Sequence, residues 1–141
     1  MATVDYTKNI VQQPPHAFTF IVKRRISFAA LAASSADVIQ CVSVPAQTFV
    51  HQVMVQVVTA EGATCTAKVG DGVDDDGFDA STNLNATAGT VTNGVPGTDA
   101  YLTAGGRPYT SADTIDLTLG NNAATAVVDI FVVMSFMAPA A

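Results

Sequence analysis

Tryptophan is absent from the 141 residues, and glutamate nearly so, with one Glu against eleven Asp. Charged residues make up 13% of the chain, about half the usual share for soluble domains. The six Lys and Arg leave a net charge of −6, which argues against nucleic acid held by a general electrostatic mechanism. Only two histidines occur, His16 and His51, too far apart in sequence for a histidine-rich metal cluster. The cysteines, Cys41 and Cys65, form no C-x-x-C pair. Each sits in an apolar alternating run, so buried free thiols are expected, with a disulfide left open. The N-terminus lacks the pattern of a secretory signal. The longest charge-free apolar run, Ile130 to Ala138, is too short to cross a bilayer as a helix. These shortages predict a soluble protein made in the cytoplasm, without a membrane or nucleic-acid partner.

Catalytic patterns are missing as well. No serine sits in a nucleophile-elbow motif. Glu61 has no paired carboxylate nearby. Val69-Gly70-Asp71-Gly72 is too short for a phosphate loop and is followed by neither a helix nor a lysine. The expectation is a protein that is not an enzyme and needs no cofactor.

What the chain does have is Asp, Asn, Gly, Thr and Val, the residues of turns and strands. Residues 1–15 read as an extended N-terminal arm ending in Pro14-Pro15, which favour an extended backbone. A first strand or a frayed end fits that stretch equally well. Residues 16–141 read as one domain, long enough to bury a core. Phe18, Phe20 and Val22 alternate with Thr19, Ile21 and Lys23 in a first strand, with a twist or a bulge expected midway because the charges of Lys23-Arg24-Arg25 fall on both faces. Ala29 to Ala36 suits a short helix or a loop. Val38 to Val44 is a second strand, stopped by Pro45. Thr48 to Thr59 and Ala63 to Val69 alternate on either side of Glu61-Gly62 and predict a hairpin. Leu84 to Thr92 is a weak strand, and Ala104 to Tyr109 a loop. Thr114 to Leu119 and Ala124 to Met137 predict a second hairpin. Together these give an all-β, antiparallel β-sandwich, a jelly roll of about eight strands. An immunoglobulin-like sandwich ranks second, since it lacks its Cys-Trp-Cys spacing.

Between the two strand groups lies Val69 to Ala80, which holds Asp71, Asp74, Asp75, Asp76 and Asp79 with Gly70, Gly72 and Gly77. Asp and Gly are Ca²⁺-loop ingredients, but Asp74-Asp75-Asp76 is contiguous and no Glu closes the loop. The stretch reads better as a solvated connection crossing between sheets, with Phe78 tucked inward to pin it.

The strand Val53-Met54-Val55-Gln56-Val57-Val58, the run Val69-Gly70-Asp71-Gly72 with Asp76-Gly77-Phe78, and Tyr109 to Ile115 followed by an apolar strand together resemble the head decoration, or cement, proteins of tailed bacteriophages. The resemblance spans roughly residues 45 to 137. It implies a β-sandwich on the outer capsid surface of the virion, bound to the major capsid protein, often as a homotrimer. It implies no catalytic residues. The contact elements expected from the residues themselves are the arm, with Tyr6, Ile10, Val11, Pro14 and Pro15, and the loop bearing Arg107 and Tyr109. Arg and Tyr make good interface anchors, although an ordinary solvated loop fits the second element too. The alternative function is a receptor- or carbohydrate-binding module of a phage fibre or tail.

Overall fold

The computed structural model describes residues 19–137. These form β1 (Thr19–Ser27), α1 (Phe28–Leu31), β2 (Val38–Val44), β3 (Thr48–Thr59), β4 (Thr66–Gly70), β5 (Asp79–Asn83), β6 (Val91–Asn93), α2 (Ala100–Thr103), β7 (Arg107–Tyr109), β8 (Asp113–Leu119) and β9 (Val127–Phe136). The arm residues Tyr6, Ile10, Val11, Pro14 and Pro15 lie outside the described residues.

Two antiparallel sheets face each other. The first runs β1-β9-β3-β6, with β7 also on β3; the second runs β2-β8-β4-β5. β1 pairs with β9, β2 with β8, β3 with β6 and β4 with β5. Pairing thus starts from the two ends of the described chain and closes inward, as when one long hairpin is wrapped over a core. This is the jelly-roll order, with β7 as an added strand.

Both predicted hairpins are corrected by this order. β3 has β9 on one edge and β6 and β7 on the other, so β4 joins the opposite sheet. β8 is likewise flanked by β2 and β4, so β9 crosses over. The segments 60–65 and 120–126 are therefore bridges between layers about 10 Å apart. Alternation reports which side of a strand is buried, and it is the same for a hairpin and for a crossover. The acidic stretch is corrected in the opposite sense. It joins β4 to β5, neighbours in one sheet, and does not cross. Nor does β1 bulge, since its nine residues run in unbroken register against β9.

Bulges occur elsewhere and explain two irregular patterns. In β3 the pairing slips between Val50 and Gln52. Val50 points inward, and after the slip Val53, Val55 and Val57 do so. In β2 a slip between Gln40 and Val42 buries the adjacent Cys41 and Val42. Both thiols are free and buried. The core is filled by Val128, Ile130, Val132 and Met134 of β9 against Ile115, Leu117 and Leu119 of β8, with Phe28, Phe78 and Leu84 closing the ends.

Candidate functional site

The acidic stretch builds a dense polar cluster, starting at Gly70. A Cβ on Gly70 would run into the backbone carbonyls of Asp74 and Asp75, so only glycine lets the loop fold back over the end of β4. The turn aims Asp71 inward. Its Oδ1 accepts the N–H groups of Val73 (2.8 Å) and Asp74 (2.9 Å) and the Tyr101 hydroxyl (2.9 Å). Its Oδ2 accepts the Tyr109 hydroxyl at 2.8 Å and lies 3.6 Å from Arg107 Nε, an ion pair without a hydrogen bond. The Arg107 guanidinium sits 4.6 Å from the Tyr101 ring centroid and 5.6 Å from that of Tyr109. Phe78 is fully buried, as expected, and meets Tyr101 edge-on at 5.0 Å.

Burial pushes the Asp71 carboxyl upward, but the N–H groups of Asp74 and Val73 and the two tyrosine hydroxyls outweigh it and hold it below the usual carboxylate range. Burial and the same carboxylate push both tyrosine hydroxyls well above theirs. The cluster is thus an ionised acid held by neutral donors and one cation. It ties the β4–β5 loop to α2 and β7.

The outward aspartates stand apart from this. Carboxylate oxygens of Asp74, Asp75 and Asp76 lie within 4.8 Å of one another. Lys68 Nζ reaches both Asp75 oxygens at 3.1 Å and Asp76 at 3.7 Å, so a protein cation already serves the group. Asp79 closes its own turn through Ser81 N–H and the Thr82 hydroxyl.

Three further acids were given no structural role by the sequence. Glu61 accepts the N–H groups of Ala124, Thr125 and Ala126 and the Thr125 hydroxyl. Asp129, on β9, is bound by both Nε and Nη2 of Arg25 at 2.8 Å and by Lys23 at 3.0 Å. Asp116, on β8, takes only the Thr114 hydroxyl among side chains. A signal existed for the first two: Glu61 is the lone glutamate, and Asp129 is an acid inside an otherwise apolar strand.

Burial, with help from Asp113 and Asp71, raises the Asp116 carboxyl above its ordinary range. A group raised in the folded state opposes folding at neutral pH, where it must be ionised. Asp116→Asn, which keeps the acceptor for Thr114, is expected to raise the melting temperature at pH 7 by roughly 2–4 °C, a shift worth about 1 kcal/mol in a chain this size. The gain disappears in acid, and calorimetry at two pH values checks it.

Of the residues expected at a partner surface, Arg107 is partly exposed, whereas Tyr109 is buried with its hydroxyl on Asp71. Residues 107–109 are not a loop. They pair with Thr48, Phe49 and Val50 as β7. The Arg and Tyr therefore serve the Asp71 cluster.

Compared with known proteins, the chain matches no family model and no curated sequence. Its fold is shared by chains from phage capsids. A chain of the acidic stable capsid of Helicobacter pylori bacteriophage KHP30 superposes with a TM-score of 0.63 at 16% identity, over 87% of this chain and 91% of that one. One from the capsid of Ralstonia phage GP4 gives 0.63 at 14%, over 94% of each. One from the cyanophage Pam1 capsid asymmetric unit gives 0.60 at 16%, over 98% of this chain and all of that one. At such identity the likeness is one of fold.

Proposed function

We propose that the protein is a structural component of a phage virion, a decoration or cement protein that binds the outer capsid surface and stabilises the shell by bridging capsid subunits. The observation that carries this reading is the near full-length match of the jelly roll to chains of three phage capsids. The low charge and half-buried apolar outer face of the first sheet, with Met54, Phe131 and Val133, support a part that lives in an assembly. The polar clusters support it too, because Asp71 and Glu61 are engaged in holding loops and Asp129 in joining two strands, which are structural tasks.

The mechanism is mass action. A protein that binds only the assembled shell stabilises it in proportion to ln(1 + [L]/Kd), and many sites add. A copy that touches two capsomers makes each contact effectively intramolecular, so weak contacts become an avid lattice. Residues 1–15 act as an arm, and Arg107 lies at the edge of the contact surface. The partners are the major capsid protein and further copies of the chain, as a homotrimer.

Quantitative mass spectrometry of purified particles tests the reading. Hundreds of copies per particle are expected. A few copies would point instead to a fibre or tail component, and absence from every particle would end the proposal. In the same particles, the triple change of Asp74, Asp75 and Asp76 to Asn is expected to leave occupancy unchanged and to lower the solubility of the free protein. Asp75 and Asp76 are half-exposed beside Lys68, and the three carboxylates carry much of the net charge.

A further inference from the structure

Among the described residues, β1 closes one edge of the first sheet and β2 the neighbouring edge of the second. They are the longest free edges, nine and seven residues. A groove of about 460 Å³ runs between them, lined by Val22, Arg24, Gln40, Cys41, Ser43 and Thr114. A second stretch of the groove passes Leu31 and Ile39. Free edges recruit strands unless they are blunted, and an inward-pointing charge is one way of blunting them. Arg24 is such a charge. It is in step with the inward Val22 and Ile26, yet exposed, and it has no ion-pair partner among the described residues. On the opposite side of the same strand Ile21 is 60% exposed. The edge therefore discriminates. It favours a strand with an acid on the seam side and an apolar residue beside Ile21.

The sequence before β1 has that pattern. From Thr3 to Val11, Val4, Tyr6, Lys8 and Ile10 alternate with Thr3, Asp5, Thr7, Asn9 and Val11, and Asp5 is the one acid before Thr19. The run is nine residues long, matching β1. Pro14-Pro15 follow it and favour an extended chain over the reversal needed to pair with the strand they lead into. Eighteen residues precede Thr19, a reach of roughly 60 Å when extended. We propose that Thr3–Val11 of one copy pairs antiparallel along the free edge of β1 in a second copy, with Asp5 toward Arg24 and Tyr6 beside Ile21. Strand exchange of this kind joins protomers through backbone hydrogen bonds. The inference rests on reading residues 1–15 as an arm and is independent of attachment to a shell.

The test uses the purified chain in solution, with no particle present. Light scattering of the full chain at micromolar concentration is expected to give an oligomer. Removal of residues 2–15 is expected to give a monomer whose far-ultraviolet β spectrum is unchanged. Chains carrying Tyr6→Cys mixed with chains carrying Ile21→Cys are expected to form a disulfide-linked pair under mild oxidation. A full chain that stays monomeric overturns the proposal, as does an oligomer that survives the deletion. So does a chain carrying both changes that crosslinks only within itself. Shell attachment enters none of these readouts, so failure here and failure of the capsid reading are separate results.

Discussion

Asp71→Ala is expected to lower the melting temperature by roughly 10 °C, the largest single-residue effect in the polar clusters. The change removes the acceptor for two tyrosine hydroxyls and two backbone N–H groups and leaves Arg107 without its counter-charge. Breaking a buried pair by deleting one partner costs about 3–5 kcal/mol. Arg107 is about a third exposed, with a side-chain exposure of 31%, so water screens part of that and about 3 kcal/mol is the better figure. Asp71→Asn keeps one carbonyl oxygen for the hydroxyls and loses only the charge, and is expected to recover about half of the loss. Because the folded carboxyl lies below its ordinary range, its contribution is present at neutral pH and is lost as pH falls through the folded value. Thermal scans by calorimetry decide the matter. A shift within about 2 °C for Asp71→Ala would mean that the tyrosines and Arg107 hold the loop by packing alone.

The contrast between Asp71 and its neighbours shows what the sequence discloses and what it conceals. Composition and turn spacing sufficed for an all-β jelly roll, and an aromatic in an acidic loop was enough to send Phe78 inward. Which aspartate would follow it inward was not visible. Asp71 differs from Asp74, Asp75 and Asp76 through the close approach at Gly70 and through donors thirty and thirty-eight residues away, at Tyr101 and Tyr109. The same distance effect hid β7. Arg107-Pro108-Tyr109 follows two glycines and contains a proline, both marks of a loop, yet it pairs on the rim of β3, where a proline is tolerated at a sheet edge. Sheet membership was concealed for a different reason. Strands that are neighbours in sequence with matching alternation suit a hairpin, and only the pairing of β3 with β9 on one edge and with β6 and β7 on the other rules that out. The arm lies outside the described residues, so its role stands on pattern and on the edge it would meet.

Glu61 carries the second large effect, in a turn whose lone carboxylate has no catalytic partner. It sits in the bridge from β3 to β4 and reaches the bridge from β8 to β9. Its Oε2 accepts Ala124 N–H at 3.1 Å, Thr125 N–H at 2.9 Å and Ala126 N–H at 2.8 Å, and its Oε1 accepts the Thr125 hydroxyl at 3.0 Å. Its own N–H donates to Leu84 C=O, so one residue fastens three connections at one end of the sandwich. Burial pushes its carboxyl up, but the donors from Thr125, Ala126 and Ala124 prevail and bring it to about 2 from an ordinary 4.5. The unfolded chain therefore takes up the proton first. The stabilisation, roughly 2–3 kcal/mol, is complete above the unfolded value and is lost as pH falls through the folded one. Glu61→Gln is expected to lower the melting temperature at pH 7 by roughly 6–9 °C and to make little difference at pH about 2. Asp129 also titrates at about 2, held down first by Arg25 and then by Lys23. Its loss of charge overlaps the same acid window, so the Asp129→Asn variant is the control that isolates Glu61. If Glu61→Gln and the parent chain lose stability with the same slope between pH about 5 and 2, the two bridges are held by packing and the carboxylate adds nothing.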